Sequence, residues 1–589
     1  MILIVSLLLS VLKLAICDDI YFVNPTDGAQ EMSIEAVKNG TGYSFRLVKG
    51  HGSKSLIAKA TFIQQINSTG WAHLSLTSMN YPDELQAYYS GILEGIITKP
   101  LIKAHISNTY PDYCSKPSTF CKNLKQYFST NIESIIVKSR YQGGYWKMVK
   151  LSLCYLISHL YFVIIKIRLQ LWQIKGLQDA YDNSWKTQSK DINENYLRQL
   201  KDQVFGIFLL QADGDLSALS SILGGSEYHS RFAARKVIGD GSCSAFIKYV
   251  KGDIYAAHVT WSPYNLMLRI TKYYNFPYRI NFEVANSPII PGQNISFSSY
   301  PAIISSIDDF YVTSAGLVST ETTIGNYNAS LWKPLKTKAA SIVLEYLRVQ
   351  TANRLSKSGL EWTTTFSLHN SGTYNNQWMV VNYNLMKGHR FGMPIPNGVL
   401  YVAEQIPGLI VYKDLTDYLR TSYWASYNIP FFKNVYQISG YADMAKKYGD
   451  FFTIDKGPRA LIFKRDAHTV TNFHSLMKLM RYNDFQNDPL ARCNCTPPYS
   501  GENGISSRSD LNDPNGKYPF GALAYRLHGG TDLKFTSSVL SKAMRFVGIS
   551  SPTYDQQPAF DWRNNKDPSV KHNMHPIKWN FKPIITPFP

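Results

Sequence analysis

The sequence predicts an α+β protein with a large apolar core, and three observations carry that reading. Residues 20–75 are strand-rich. Asp83 to Lys99 then places Leu85, Tyr88, Ile92 and Ile96 on one side of a helix that Pro100 would stop. From Cys243 to about residue 465 the chain alternates strands and turns, and helical and loop-rich segments follow. Composition agrees: 14% of the 589 residues are aromatic, 40 of them tyrosines, and only 17% are charged, as in a folded rather than a disordered chain. That length suits several ordinary domains or one large layered domain with decorations, and no internal repeat divides it.

Along the chain, Asn183 to Leu210 reads as helical, Asp213-Gly214-Asp215-Leu216 as a loop, and the proline-rich tail from Pro576 as extended surface chain. Leu151 to Ile165 is an apolar run between Lys150 and Lys166. It is short for a membrane span, which needs about 20 residues, and a core helix is the alternative.

The N-terminus reads as a secretory signal peptide, residues 1–17. Ile2 to Leu12 is mostly apolar, and Ala15 and Cys17 supply small residues at the −3 and −1 positions before Asp18. Five glycosylation sequons, at Asn39, Asn67, Asn294, Asn328 and Asn494, agree with export. The expected destination is the lysosome lumen or secretion. In an oxidising compartment Cys114 and Cys121 could close a small loop, and Cys493 and Cys495 a very tight one, leaving Cys154 and Cys243. The spacings are not those of a zinc site, and no metal or cofactor is expected.

A net charge of +19 raises the question of nucleic acid, but the chain has no Lys/Arg block, zinc-finger spacing or aromatic-basic repeat. Its basic residues are scattered. Diffuse positive charge suits transient contact with an anionic membrane surface or acidic lipid, and no nucleic-acid partner is expected.

The stretch that points to chemistry is Ile238-Gly239-Asp240-Gly241-Ser242-Cys243, a polar turn leading into the strand Ala245, Phe246, Ile247, Tyr249 and Val250. A cysteine at the mouth of a strand, after a turn that tolerates strained backbone, is well placed to be a nucleophile. About a strand and a turn later, His258-Val259-Thr260-Trp261 brings an imidazole and an indole within reach. A buried structural cysteine is the competing reading.

Gly241-Ser242-Cys243-Ser244-Ala245, His258-Val259-Thr260-Trp261 and Leu268-Arg269-Ile270 occur in order. Asp308-Asp309-Phe310-Tyr311, Glu321-Thr322-Thr323-Ile324-Gly325-Asn326 and Ser371-Gly372-Thr373-Tyr374-Asn375-Asn376-Gln377-Trp378 follow, then Arg481-Tyr482-Asn483-Asp484-Phe485, Ser507-Arg508-Ser509-Asp510-Leu511 and His528-Gly529-Gly530. Through these motifs the chain resembles the phospholipase B-like family over nearly its whole mature length. The resemblance implies an αββα four-layer sandwich of the N-terminal nucleophile hydrolase type. It also implies a precursor that cuts itself at Ser242–Cys243 into residues 18–242 and 243–589, which stay associated.

In that scheme the thiol of Cys243 attacks the preceding carbonyl, water hydrolyses the thioester, and the freed α-amine serves as the base for its own thiol. The resemblance implies a phospholipid or other acyl-lipid substrate. An amidase of N-acyl lipids or peptides is the alternative, or a lipid-binding glycoprotein with negligible turnover. His258 could orient or protonate, and Trp261 could line an acyl pocket. Thr322 and Asn376 are donors of the kind an oxyanion hole needs, with Asn375 the alternative. Arg508 could bind a phosphate, or else pair with Asp510.

Three departures from the family pattern stand out. Val259 replaces an asparagine. Cys493 and Cys495 enclose only Asn494 where the family has two residues. Residues 151–168 have no counterpart, and are expected to be an insert foreign to the functional protein, sitting as a poorly packed surface excursion.

Overall fold

A computed structural model describes residues 20–588 apart from 40–41, 51, 53–54, 111–112, 146–153, 187–191, 225–236, 240–242 and 281–285. The expected signal peptide and the Ser242–Cys243 bond lie outside the described residues.

Two large sheets organise the chain, one of seven strands and one of eleven. The strand Cys243–Val250 lies in the smaller sheet, antiparallel to Asp253–Pro263 on one side and to Tyr423–Ser426 on the other. Its alternation sorts side chains by face. Ala245 and Ile247 join Ile254 and Ala256 in a cluster with Val318, Met379 and Val381 of the larger sheet. Phe246 and Val250 instead join Val259, Trp261 and the helices Pro458–Asp466 and Phe473–Met480. A strand buried on both faces reads as a continuous apolar run, as this one does.

The outer side of the larger sheet carries Asp83–Ile97, Cys154–Asp182 and Glu345–Leu355 in the largest cluster. Segments on either side of residue 242 share both sheets. Trp71–Ser78 runs parallel to Arg269–Asn275, and Tyr21–Phe22 parallel to Ile584–Ile585.

Several sequence expectations need correction. The helix Asp83–Ile97 ends before Pro100, but the chain turns at Thr98 into a second helix, Lys99–Thr109, with the proline in its first turn, where its missing N–H costs nothing. The expected helix Asn183–Leu210 is helical but broken, among the described residues, into the short helices Ser184–Lys186, Glu194–Arg198, Gln199–Asp202 and Ile207–Gln211. Asp213 to Leu216 is no loop but the first turn of the helix Asp213–Leu223, where acids suit the dipole and Gly214 lets the Tyr374 ring approach. Between residues 243 and 465 the helices Glu345–Leu355 and Gly359–Ser367 interrupt the strands. The tail is not surface chain: Trp579, Ile584 and Ile585 are buried, and the last two extend the smaller sheet.

The apolar run lies in the helix Cys154–Asp182. Its C-terminal end is not a loose excursion, because Val163 and Ile167 are buried and the Lys166 ammonium meets the Asp83 carboxylate at 3.3 Å. The helix carries these residues straight into the packed Leu169–Leu177 stretch. Residues 151–153, and the side chains of 154–162, 164 and 165, lie outside the described residues. No described helix is long and apolar enough to cross a membrane.

Both expected disulfides, Cys114–Cys121 and Cys493–Cys495, are formed. Among the sequon asparagines, Asn67 and Asn494 are exposed and Asn294 is half-buried. The Asn328 amide donates to the Ile438 carbonyl, and the Asn39 side chain lies outside the described residues.

Helices Asp83–Ile97 and Cys154–Asp182 cross with their backbones in contact. A Cβ at Gly91 would stand 2.0 Å from the Gln173 carbonyl oxygen, and one at Gly176 would stand 2.0 Å from that of Tyr88. Backbone cannot yield as a side chain can. Gly176→Ala should therefore cost about 3 kcal/mol of stability, read as a lowered urea midpoint; an unchanged midpoint would reject this close crossing.

Candidate active site

Cys243 opens its strand opposite Thr260, on the face turned to the larger sheet. It is buried, it is in no disulfide, and it lines a cavity of about 340 Å³. His258 and Thr260 share that face, because the alternate residues Ala257, Val259 and Trp261 turn to the helices. The Cys243 Sγ, one ring nitrogen of His258 and one carboxylate oxygen of Glu321 all lie within 4.8 Å of one another.

Burial sets the protonation of this trio. It pushes the thiol well above its ordinary range, and the nearby Glu321 adds to the shift. It pushes the Glu321 carboxyl well up, with Asp309 contributing, and drives His258 well down, with Lys534 adding to the effect. These shifts all favour the uncharged forms: a thiol, a carboxylic acid and a neutral imidazole. No thiolate–imidazolium pair exists, so deprotonating Cys243 requires another base.

Two charge systems flank the trio. Lys534 donates to Asp308 at 2.8 Å and pairs with Asp532 at 2.7 Å, while Arg269 pairs with both carboxylates. Burial alone would raise Asp308, but Arg269 and Lys534 outweigh it and hold the carboxyl below its usual range. The Thr260 hydroxyl donates to the same carboxylate at 2.9 Å. On the other side, Asp309, Glu321, Glu345 and Asp215 form a buried acid cluster in which burial raises every member. The Tyr374 hydroxyl bridges the Ile307 carbonyl and Glu321. Ile307, Asp309 and Tyr374 have φ of 68°, 33° and 47°, a strained conformation for residues with side chains.

The structure brings Cys243 and His258 together and sets Trp261 in the cavity wall, its indole N–H donating to the Ile505 carbonyl at 3.2 Å. It does not bring in Thr322, which lies on the opposite strand face from Glu321, is absent from the cavity wall and shares a hydroxyl hydrogen bond of 2.6 Å with Ser426. Asn376 is fully buried outside the wall, whereas Asn375 lines it. Arg508 is also outside the wall: it donates twice to Asp510 at 2.8 Å and to the carbonyls of Thr553 and Pro558 at 2.7 Å. Its guanidinium is consumed by structure.

Two residues were missed. Glu321 stands inside a quoted motif, but only the tertiary structure brings its carboxylate within 4.8 Å of the Cys243 sulfur. Arg459 donates to the Cys243 carbonyl at 2.7 Å, to the Ser244 hydroxyl at 3.2 Å, and to Tyr427 O and Asn428 Oδ1, while lying over the Trp261 ring. No local signal marks it.

A family model described as Phospholipase B matches residues 58–586. The chain belongs to the phospholipase B family. It is 41% identical over 550 residues to a phospholipase B-like 2 of Bos taurus, covering 92% of this chain and 87% of that one. The phospholipase B-like 2 of Homo sapiens is 40% identical over 539 residues, 90% of this chain and 85% of the other. A phospholipase B-like protein B of Dictyostelium discoideum is 34% identical over 570 residues, 94% and 90% of the two chains. In this phospholipase B family member the matched region includes every wall of the cavity and all of both sheets after residue 58.

Removing Arg459 would strand buried acceptors around the thiol. Arg459→Met should cost about 3 kcal/mol of stability; urea unfolding equal to wild type would show that this clamp contributes nothing.

The acid cluster sets a pH dependence. Burial, with Asp308 adding, lifts Asp309 to about 8. The folded chain therefore keeps a proton that the unfolded chain loses above about pH 4, and stability falls as pH rises from there through the folded value. His73, His105 and His575, pushed down to about 3 by burial, act oppositely, but only below about pH 6.5. Between about pH 6.5 and 8 the acids act alone. Asp309→Asn should flatten the stability loss there by about 1.4 kcal/mol per pH unit, measured by urea unfolding at both ends of that window. A slope equal to wild type would contradict the assignment.

Proposed function

We propose that this chain is a lipid acyl hydrolase whose nucleophile is Cys243, exposed as an N-terminal residue by cleavage at Ser242–Cys243. The observation that carries the reading is an undisulfided cysteine, first in a strand buried on both faces, in the wall of a cavity. Family membership, and the relatives' names, support a phospholipid as the substrate. Sheets packed against each other, with helices on their outer faces, support the αββα arrangement of N-terminal nucleophile hydrolases.

Cleavage proceeds by attack of the thiol on the Ser242 carbonyl. The amide C–N bond breaks, the α-amine takes the proton, and water releases the thioester. The new amine, with a reference pKa of about 8, removes the proton that burial otherwise keeps on the thiol. This supplies the base that neutral His258 and protonated Glu321 do not. The thiolate then takes the acyl group from a lipid ester, the alcohol leaves with a proton, and water regenerates the thiol. Asn375 is the better-placed amide donor for the oxyanion, and Arg459 positions Cys243 through its carbonyl. Val237 and Ile238 line the cavity just ahead of the cut, so freeing this segment would widen it.

The two chains would remain together through the strands they share. The protein would act in the lysosome lumen or after secretion, glycosylated at its exposed sequons and meeting membrane surfaces only transiently.

Intact mass and N-terminal sequencing of mature protein should give residues 18–242 and 243–589, and Cys243→Ala should stay one chain and be inactive. Active enzyme uncut at Ser242–Cys243 would defeat the mechanism. Acyl release should occur from phospholipids rather than from N-acylamides. The reverse preference would make the protein an amidase, and inactivity on both with tight lipid binding would make it a binding glycoprotein.

A further inference from the structure

We propose that Cys243, His258 and Glu321 form a binding site for one zinc-class divalent cation. Sequence spacing alone argues against zinc, because the three residues sit on three strands, Cys243–Val250, Asp253–Pro263 and Leu317–Thr323. Tertiary packing gathers one sulfur, one nitrogen and one oxygen donor within 4.8 Å of one another. Ligands on a shared tetrahedral zinc stand about 3.5 Å apart, so closure asks for about 1 Å of contraction. Side-chain rotation can supply it.

The donors have little other work: His258 meets the Glu321 backbone and the Cys243 sulfur meets the Trp261 backbone. All three residues are buried, and neither His258 ring nitrogen nor Glu321 Oε2 makes a well-formed hydrogen bond among the described residues. Buried polar atoms without partners are uncommon and costly. A cation would satisfy one atom of each residue at once. Glu321 Oε1, at 3.2 Å from the Tyr374 hydroxyl, already has the kind of outer partner that orients a ligating carboxylate.

Charge and donor type choose the ion. A doubly charged cation with one thiolate, one carboxylate and a neutral imidazole is electrically neutral, the state a buried site favours. The adjacent Arg269 and Lys534 are offset by Asp308 and Asp532, so no net positive field opposes it. A sulfur–nitrogen–oxygen set suits zinc or cobalt, whereas magnesium and calcium need oxygen shells. On binding, the Cys243 S–H and Glu321 O–H bonds break, metal–sulfur and metal–oxygen bonds form, and two protons leave to solvent. The cavity beside Cys243 can supply a water for the fourth position. If Cys243 is the nucleophile proposed above, occupancy masks it; the site itself does not depend on that reading.

The test is titration of the purified, chelator-treated full protein with Co²⁺. One equivalent should produce a thiolate-to-cobalt charge-transfer band and the intense visible bands of four-coordinate cobalt, and Zn²⁺ should abolish both. The charge-transfer band should vanish in Cys243→Ser, and binding should weaken about tenfold or more in His258→Gln and Glu321→Gln. Absence of the band in wild type, or its persistence in Cys243→Ser, would overturn the proposal, the latter placing the metal elsewhere. Should a variant misfold, zinc-edge X-ray absorption of the wild type decides. One sulfur with nitrogen and oxygen neighbours upholds the site, and a shell without sulfur refutes it. Cleavage and acyl release are read separately, so loss of the metal site would leave the hydrolase reading intact, and the reverse holds.

Discussion

Four buried charges tie the two sheets together beneath the cavity. Arg269 comes from the larger sheet, Asp532 and Lys534 from the smaller, and Asp308 from the loop before Phe310–Thr313. Each ion loses several kcal/mol of hydration on burial, a cost offset only where every charge is paired. Here each cation meets both carboxylates. The arrangement therefore tolerates little change in how the sheets stack, and Thr260, bonded to Asp308 and opposite Cys243, carries that constraint to the thiol.

The balanced quartet sits beside groups that remain neutral. Cys243, His258 and Glu321 feel the charges of Lys534 and Asp308, yet burial is the larger influence and favours the uncharged form of each. A site of this kind holds its reactive groups in reserve. For the thiol to act as proposed, something must remove its proton: an amine created by chain cleavage, or a cation that replaces the proton outright. The same burial that suppresses the thiolate strengthens any electrostatic interaction formed inside the cavity.

Arg459 secures the site from outside the sheets. It comes from a helix on the far side of the Cys243 strand and holds the backbone at Cys243 and the Tyr427–Asn428 turn with one guanidinium. Its planar fork lets it bond several acceptors while stacking on Trp261, which a lysine could not do. Arg508 shows the opposite outcome. A similarly buried guanidinium is saturated by Asp510 and two carbonyls and offers nothing to a ligand.

How much of this was legible followed the range of the interactions. A turn rich in glycine running into an apolar strand marked Cys243, and a hairpin placed His258 and Trp261 near it, because both patterns are written within about twenty residues. Local pairs such as Arg508 and Asp510 could be read for the same reason. Helix boundaries at Pro100 and Asp213 went wrong where a proline or a glycine suits a helix's first turn or its neighbour's ring. Of the expected donors, Thr322 and Asn376 lie outside the cavity wall, while the alternative Asn375 lines it and the neighbouring Glu321 comes close to Cys243. Arg459, distant in sequence, carries no mark at all. The sequence by itself determined the family, and it marked Cys243 and the strand that carries it, since these depend on local pattern and motif. Only the tertiary structure decided which acid, which amide and which arginine surround the thiol, because those contacts depend on sheet register and stacking.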